Sequence, residues 1–288
     1  MSEVAVVLPA GACDCHTHVV GDVAYYPMVS ERFYTPALAP HEALVHHMQR
    51  NHLQRIVIVQ PSFYGTDNRC MVDSLMRLQG AGRGIAVVDE RLDDAGLEQL
   101  HQVGVRGLRI NVESSGVRDA KAVEAPLQNW AKRIAHLGWH LQIYATHHTL
   151  IDMAPVLDAL SVPVVLDHFG MVPADTPHDD KQLHALLDLM AGGNVYVKLS
   201  APYRIAQTAC VAAATDLAQT FVHLYPQRVL WGSDWPHTNR EPGKTAHEVS
   251  AYRCIPSATL SESIQSWFPT ASLREQVLVT NPERLYDF

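Results

Sequence analysis

The sequence lacks the features that mark several large classes of protein. Its apolar stretches all fall short of the roughly 20 residues that a membrane-spanning helix needs. It contains no run of basic residues and its formal net charge is -8, so nucleic acid and anionic membranes are poor candidates as partners. The opening residues MSEVAVVLPAGA have neither a basic start nor a long apolar core, which argues against a signal peptide. We therefore expect a cytoplasmic protein that acts on a small molecule.

Cysteine is scarce, and the few cysteines are irregularly spaced. There are five in 288 residues, and no CxxC motif occurs. This pattern favours reduced thiols over a disulfide framework or a cysteine-rich zinc site. Cys13 and Cys15 alternate with His16 and His18 in CDCHTH, so we expect the two cysteines to face away from the histidines, into a helix layer.

The chain also lacks a glycine-rich phosphate loop, but it does show a regular strand and helix alternation. Because no GxGxxG or P-loop signature follows the first strand, a doubly wound sheet is the second choice of fold. The first choice is a (β/α)8 TIM barrel forming a single domain over residues 1–288, since β-branched runs alternate with helical periodicity. The predicted strands are 12–20, 55–60, 84–89, 105–112, 139–145, 162–169, 195–200 and 228–234.

Candidate catalytic residues lie where the predicted strands end, which is the active-site face of a barrel. His16 and His18 are two residues apart, so their rings project from the same face of the first strand. Asp234 follows the last strand; a turn aspartate is the plain alternative, but its position favours a catalytic carboxylate. His168 follows the sixth strand and could instead be a satisfied core histidine, while its neighbour Asp167 is expected to point outward.

Candidate anion-binding residues follow the same rule. Arg109 lies in an otherwise buried strand, so it should meet an acidic side chain or a substrate carboxylate, whereas Arg106 should face the other side. Arg204 is a second candidate of this kind, after the seventh strand. The loop that contains Ser62 and Thr66 could present backbone N–H groups to an anion, although plain helix capping by Thr66 or Asp67 fits equally well.

Taken together, the ordered motifs resemble those of the amidohydrolase superfamily and, within it, the 2-pyrone-4,6-dicarboxylate lactonase family. The shared pieces span nearly the whole chain: DCHTHVVGD, IVIVQPSFYGTDN, GRGIAVVDE, VRGLRINV, VVLDHFG, RVLWGSDWPHTN and VTNPERLYDF. The resemblance implies a barrel that hydrolyses the lactone ring of a carboxylated pyrone or muconolactone-like acid. It implies a catalytic group of His16, His18, His168 and Asp234, and a substrate-binding group of Arg109, Arg204, Tyr144, Ser62, Thr66 and His237.

One position departs from the family pattern. The pyrone dicarboxylate lactonase has a second arginine six residues after the one that matches Arg109, and this chain has Ser115 there. Arg118 lies in the same loop and could substitute for it. The lactone could therefore be a different acid, and a sugar-acid lactonase or isomerase on the same barrel is a second alternative.

The remaining question at the sequence level is whether the histidines bind a metal. The fifth strand ends in Tyr144–Ala145 without a metal ligand, and the resembled family works without a metal, so we expect no cofactor. Asp234 would act as general base while the three imidazoles polarise the lactone carbonyl. The alternative is a single divalent metal at His16, His18 and Asp234, as in a metal-dependent decarboxylase of aromatic acids. Homo-oligomer formation is left open by the sequence.

Overall fold

The computed structural model of the chain describes residues 7–112, 120–206, 211–256 and 258–288. Its core is one sheet of eight parallel strands in which every strand pairs with the next one along the chain. This arrangement confirms the predicted (β/α)8 barrel. The strands are β1 (Cys13–Thr17), β2 (Arg55–Val59), β3 (Gly82–Ala86), β4 (Val105–Asn111), β5 (His140–Tyr144), β6 (Val164–Leu166), β7 (Val195–Leu199) and β8 (Val229–Trp231).

The barrel closes between its last and first strands, just beyond the end of β8. The N–H of Asp234 donates to the carbonyl of His16 at 2.9 Å, and the N–H of His18 donates to the carbonyl of Trp235 at 2.8 Å. The segment that carries the candidate base is therefore hydrogen-bonded directly to the segment that carries the two histidines.

Helices and turns surround the sheet and contribute to its outer core. Within the seventh helix, Leu183, Leu186 and Met190 are buried at helical spacing, and Asp180 caps the helix by accepting from the N–H of Gln182 and Leu183. None of the helices in the described part of the chain is long and apolar enough to cross a membrane. The α-helices are α1 (His41–Arg50), α2 (Arg69–Leu78), α3 (Asp94–Gln102), α4 (Ala120–Ile134), α5 (His147–Asp152), α6 (Ala154–Asp158), α7 (Lys181–Ala191), α8 (Thr215–Leu224), α9 (Ala258–Trp267), α10 (Ala271–Glu275) and α11 (Asn281–Tyr286).

Short helical turns and one small strand pair complete the fold. The strand pair joins Thr35–Pro36 to Val249–Ser250. The 3₁₀ turns are Ser62–Tyr64, Ala135–Leu137, His168–Met171, Pro202–Arg204, Val211–Ala214 and Pro226–Arg228, and a π-helical turn covers Gln276–Thr280.

The interior of the barrel has an apolar floor, and this floor corrects one prediction. Its buried side chains come from six strands and the last helix: Cys13, Cys15, Val57, Val59, Ile85, Val165, Tyr196, Leu230, Leu285 and Tyr286. Side chains from six different strands can meet only inside a barrel, so the expectation that the two cysteines face the helix layer is wrong. The pairing of β1 with β2 is irregular between Asp14 and Thr17, which lets Cys15 and His16 both turn inward. Asp14 is the residue that faces α1, where it pairs with His47 at 3.0 Å.

Candidate active site

Asp234 lies at the centre of the site and is fully buried. Its Oδ2 accepts hydrogen bonds from the hydroxyl of Tyr203 at 2.5 Å and from Nη2 of Arg204 at 3.0 Å. Its Oδ1 accepts no hydrogen bond from any residue that the structure describes, and it faces Nε2 of His16 and Nε2 of His18, each at 3.6 Å. One carboxylate oxygen is thus held in place while the other is left for chemistry.

The electrostatics of the site keep Asp234 ionised. Burial alone would raise the pKa of the carboxyl, but the Arg204 guanidinium outweighs it and holds the pKa well below its usual range. Burial lowers the pKa of Arg204, yet its pairing with Asp234 gives a net increase. The pair is therefore charged at neutral pH.

The two histidines of β1 are oriented through their Nδ1 atoms. His18 donates its Nδ1–H to the carbonyl of Val59 at 2.7 Å, and Nδ1 of His16 lies 3.3 Å from Oδ1 of Asp167. Burial lowers the pKa of His16 to about 4, so its ring is neutral at physiological pH. The neutral His16 ring, with its proton on Nδ1, presents a lone pair on Nε2. Nε2 of His16 and Nε2 of His18 both face Asp234.

His168 reaches the site from a different kind of backbone. It follows β6 with a φ of 49°, in the left-handed region, and its ring centroid lies 4.7 Å from that of His16 and 5.5 Å from that of Tyr144. Its Nδ1 is 2.8 Å from the hydroxyl of Ser200, and burial lowers its pKa well below the usual value. His168 is therefore also a neutral imidazole.

Asp167 is a site residue that the sequence reading placed on the wrong side. It is buried, with Oδ1 facing His16 and Oδ2 accepting from Nη2 of Arg109 at 3.2 Å. The strand alternation of β6 puts Asp167 inside with Val165, whereas His168 is brought inside by its left-handed turn. Burial would raise the pKa of Asp167, but His16 and Arg109 lower it well below the usual range.

The arginines behave as the sequence suggested. Arg109 is only 7% exposed and meets the anion that a buried guanidinium requires, in the form of Asp167. Arg106 does not line the cavity and instead pairs with Asp287 at 3.3 Å. These two predictions are confirmed.

A cavity of about 340 Å³ opens above these groups at the carboxyl ends of the strands. Six of the predicted site residues line it: His18, Ser62, Arg109, Tyr144, His168 and Arg204. The cavity also contains residues that the sequence reading missed: Phe33, Tyr34, Pro61, Thr238 and Arg240. Their positions in the sequence could have indicated them, because they lie in the connections that follow β1, β2 and β8, and such connections form the mouth of a barrel.

The structure does not bring two of the predicted residues to the cavity. Thr66 is exposed and borders a neighbouring surface groove together with Asn68 and Val88. Of the two capping candidates near α2, it is Asp67 that accepts from the N–H of Arg69. His237 lies behind Tyr203, with ring centroids 6.4 Å apart, and burial lowers its pKa to about 4. Ser115 and Arg118 lie outside the described residues.

The donor set fits a single divalent cation. His16, His18 and Asp234 are all buried and each offers one ligand atom within 4.8 Å of the others. Nε2 of each histidine lies 3.6 Å from Oδ1 of Asp234. His18 donates from its other ring nitrogen to a carbonyl, and the other ring nitrogen of His16 faces a carboxylate, which is the supporting pattern seen around metal-binding histidines. In a second group, His16, Asp167 and His168, the three potential ligand atoms also lie within 4.8 Å of one another.

Comparison with known proteins places these features in a known context. A sequence model of the family described as amidohydrolase matches residues 13–288. The 2-pyrone-4,6-dicarboxylate hydrolase of Comamonas testosteroni is 37% identical over 97% of this chain and 91% of its own length. The 4-sulfomuconolactone hydrolase of Hydrogenophaga intermedia is 30% identical over 97% of this chain and 90% of its own. The solved structure of a probable 2-pyrone-4,6-dicarboxylic acid hydrolase from Acinetobacter baumannii, with citric acid bound, superposes with a TM-score of 0.82 at 25% identity, covering 96% of this chain and 100% of that one.

Proposed function

Because the chain belongs to the amidohydrolase family, we propose that it hydrolyses the lactone ring of a carboxylated pyrone or muconolactone-like acid. The curated relatives that support this proposal are named as hydrolases of such lactones. The observation that carries it is the ionised Asp234, whose free Oδ1 lies beneath a cavity bordered by arginines. The related structure was solved with citric acid bound, and a polycarboxylate is the kind of molecule that such a cavity would attract.

Substrate binding depends on the cavity walls. Arg109 and Arg204 would hold an acidic group of the substrate, with Tyr144 and Ser62 on the same walls. An acid on Arg204 would compete with Asp234 for the guanidinium and so raise the basicity of Asp234 when substrate is present. Binding would thereby prepare the base for the chemical step.

Ring opening then needs one water molecule and one proton carrier. The water oxygen bonds to the lactone carbonyl carbon while a water proton passes to Oδ1 of Asp234. The tetrahedral oxyanion collapses, the ring C–O bond breaks, and the departing ring oxygen takes the proton back from Asp234. One water is added overall, and the product gains one carboxylic acid and one hydroxyl group.

The three histidines would divide the remaining work. Nε2 of His16 and Nε2 of His18 both face Oδ1 of Asp234, so together these three atoms would orient the attacking water. His168 is the better donor to the carbonyl, because a Ser200 hydroxyl that donates to Nδ1 leaves the proton on Nε2. In this proposal His168 alone polarises the carbonyl, whereas the sequence predicts this role for all three imidazoles.

We propose that the reaction requires no metal. If a divalent cation were bound, His16, His18 and Asp234 would hold it, and it would supply carbonyl polarisation and a more acidic water. Against its requirement stands Arg204, whose Nη2 lies 3.0 Å from Asp234 and already neutralises that carboxylate. A second cation at the same carboxylate would be repelled by the guanidinium.

A panel of carboxylated pyrones, muconolactones and sugar lactones tests the proposal, with each compound assayed in the presence and absence of a chelator. We expect hydrolysis of a carboxylated lactone at a rate that the chelator does not change, with no stoichiometric metal in the protein. Bound zinc or manganese, together with loss of activity on chelation and release of CO₂ from aromatic acids, would instead identify a metal-dependent decarboxylase.

A further inference from the structure

Three arginines line the cavity, and their charges are not balanced equally. Arg109 is paired with Asp167 at 3.2 Å and Arg204 with Asp234 at 3.0 Å. Within the described ranges, no carboxylate forms an ion pair with the third, Arg240. The cavity wall itself contains no acidic side chain among the described residues, so Arg240 is its uncompensated positive charge.

Arg240 is carried by a segment that starts on the opposite side of the barrel from the strand of Arg109. Arg109 belongs to β4, and Arg240 lies in the connection that follows β8. In a closed barrel of eight sequential strands, β4 and β8 are half a turn apart. Cationic groups thus border the cavity from two sides, with the buried base Asp234 beneath it.

The backbone that carries Arg240 is fixed, and its nearest acidic neighbour in sequence is occupied. The N–H of Glu241 donates to the hydroxyl of Ser250 at 3.3 Å, and the carboxylate of Glu241 accepts from the N–H of Ala251 at 2.7 Å. The same carboxylate is paired with Lys244. Glu241 therefore does not neutralise the guanidinium of Arg240, and the loop that carries both residues is anchored to the small strand pair.

From this arrangement we infer that Arg240 determines specificity by binding a second acidic group of the substrate, across the cavity from Arg109. The inference rests on the proposed function, because it takes this cavity as the substrate site. The substrate is then a ring that carries acidic groups on two sides, such as a dicarboxylate lactone or a lactone with one carboxylate and one sulfonate. A cavity of about 340 Å³ has room for one such ring.

Calorimetric binding of two non-reacting probes, isophthalate and benzoate, tests the inference without requiring turnover. Isophthalate presents two carboxylates on a benzene ring, and benzoate presents one. We expect Arg240→Ala to weaken isophthalate about 10-fold while changing benzoate less than about 2-fold, since a charge-assisted contact is lost only for the dianion. Arg240→Lys should recover part of the difference. Arg284→Ala is the matched control. Arg284 is exposed on α11, whose Leu285 and Tyr286 pack into the barrel floor. The control variant therefore loses the same charge at the other end of the barrel.

Three results would overturn the inference. They are a wild type that binds isophthalate no more tightly than benzoate, an equal loss of both probes in Arg240→Ala, and an equal effect of Arg284→Ala. Failure of the proposed function gives a different result, in which the dianion preference depends on Arg240 but no lactone is hydrolysed.

Discussion

At the residue scale, Asp167 links Arg109, a candidate substrate-binding residue, to His16, a candidate catalytic residue. One of its oxygens holds Arg109 and the other faces Nδ1 of His16. Both contacts are buried, so the charge on Asp167 is compensated by the Arg109 guanidinium rather than by water. Asp167 acts through these neighbours and is a positioning residue.

Asp167→Asn tests this role, because it removes the charge with little change in shape. The Arg109 guanidinium would be left buried without its anion, which should lower the free energy of unfolding by about 3 to 5 kcal/mol. The fall in kcat should exceed the change in KM for a monoanionic lactone, since His16 loses its orientation. Urea denaturation and steady-state kinetics measure the two effects. The control is Asp89→Asn, in the exposed pair with Arg91, which should change neither; an equal effect there would contradict the buried-pair argument.

At the scale of elements, the contact between β8 and β1 sets the geometry of the base. Gly232 follows β8 directly, and a Cβ at this position would lie 2.6 Å from Cβ of His16 and 2.9 Å from its backbone nitrogen. Gly232 therefore permits β8 and β1 to approach closely. The hydrogen bonds between Asp234 and His16 and between His18 and Trp235 are formed by the residues that follow Gly232 in the chain. A glycine at this one position thus allows the base and the histidines to share one edge.

Gly232→Ala should therefore separate the two strands. We expect a loss of about 1 to 3 kcal/mol in stability from overpacking, and a loss of about 100-fold in kcat from the displaced His16. Thermal denaturation and lactone hydrolysis report these quantities. Gly192→Ala is the comparison, since its nearest neighbour at 3.0 Å is the end of the Asp158 side chain, which can move. Full activity in Gly232→Ala would show that the contact does not position the site.

The regular part of the fold was predictable from sequence because burial on both faces gives the strands continuous apolar runs. The backbone at the strand ends was harder to predict, because two non-glycine residues of the site adopt the left-handed region at these positions. They are His168, with a φ of 49°, and Asp234, with a φ of 62°. The places of the candidate residues His16, His18, His168 and Asp234 near the strand ends could be read from the sequence. The inward turn of Cys15 could not, because it depends on the irregular pairing of β1. The place of Arg240 in the cavity wall could not be predicted either, because the connection that carries it has no periodic pattern.

At the scale of the whole molecule, the barrel interior keeps titratable groups out of water. Lys198 is fully buried and donates to Oε1 of Gln142 at 2.6 Å, and burial lowers its pKa to about 8. His140 is also fully buried, and burial lowers its pKa to about 3. Both shifts mean that folding disfavours the charged form of the group.

Stability should consequently fall in mild acid. His140 binds a proton near its ordinary pKa of 6.5 when unfolded but only near 3 when folded, so the unfolded state takes up more protons between these values. The stabilisation from neutral His140 is complete above pH 6.5 and is lost as the pH falls. The loss is about 1.4 kcal/mol per pH unit, so the free energy of unfolding should be lower by about 2 kcal/mol at pH 5. Urea denaturation from pH 7.5 to 5 measures the slope, and His140→Gln should reduce it. An unchanged slope in this variant would contradict the assignment.

The most direct test of the account is the rate of lactone ring opening by wild type and Asp234→Asn, each stripped of metal and assayed on the same carboxylated lactone. We predict that the stripped wild type keeps its full rate and that Asp234→Asn loses about 10²- to 10⁴-fold in kcat, the range for a general base, while still binding the substrate. Near-native hydrolysis by Asp234→Asn, or a stripped wild type that recovers activity only when a divalent metal is added back, would contradict it.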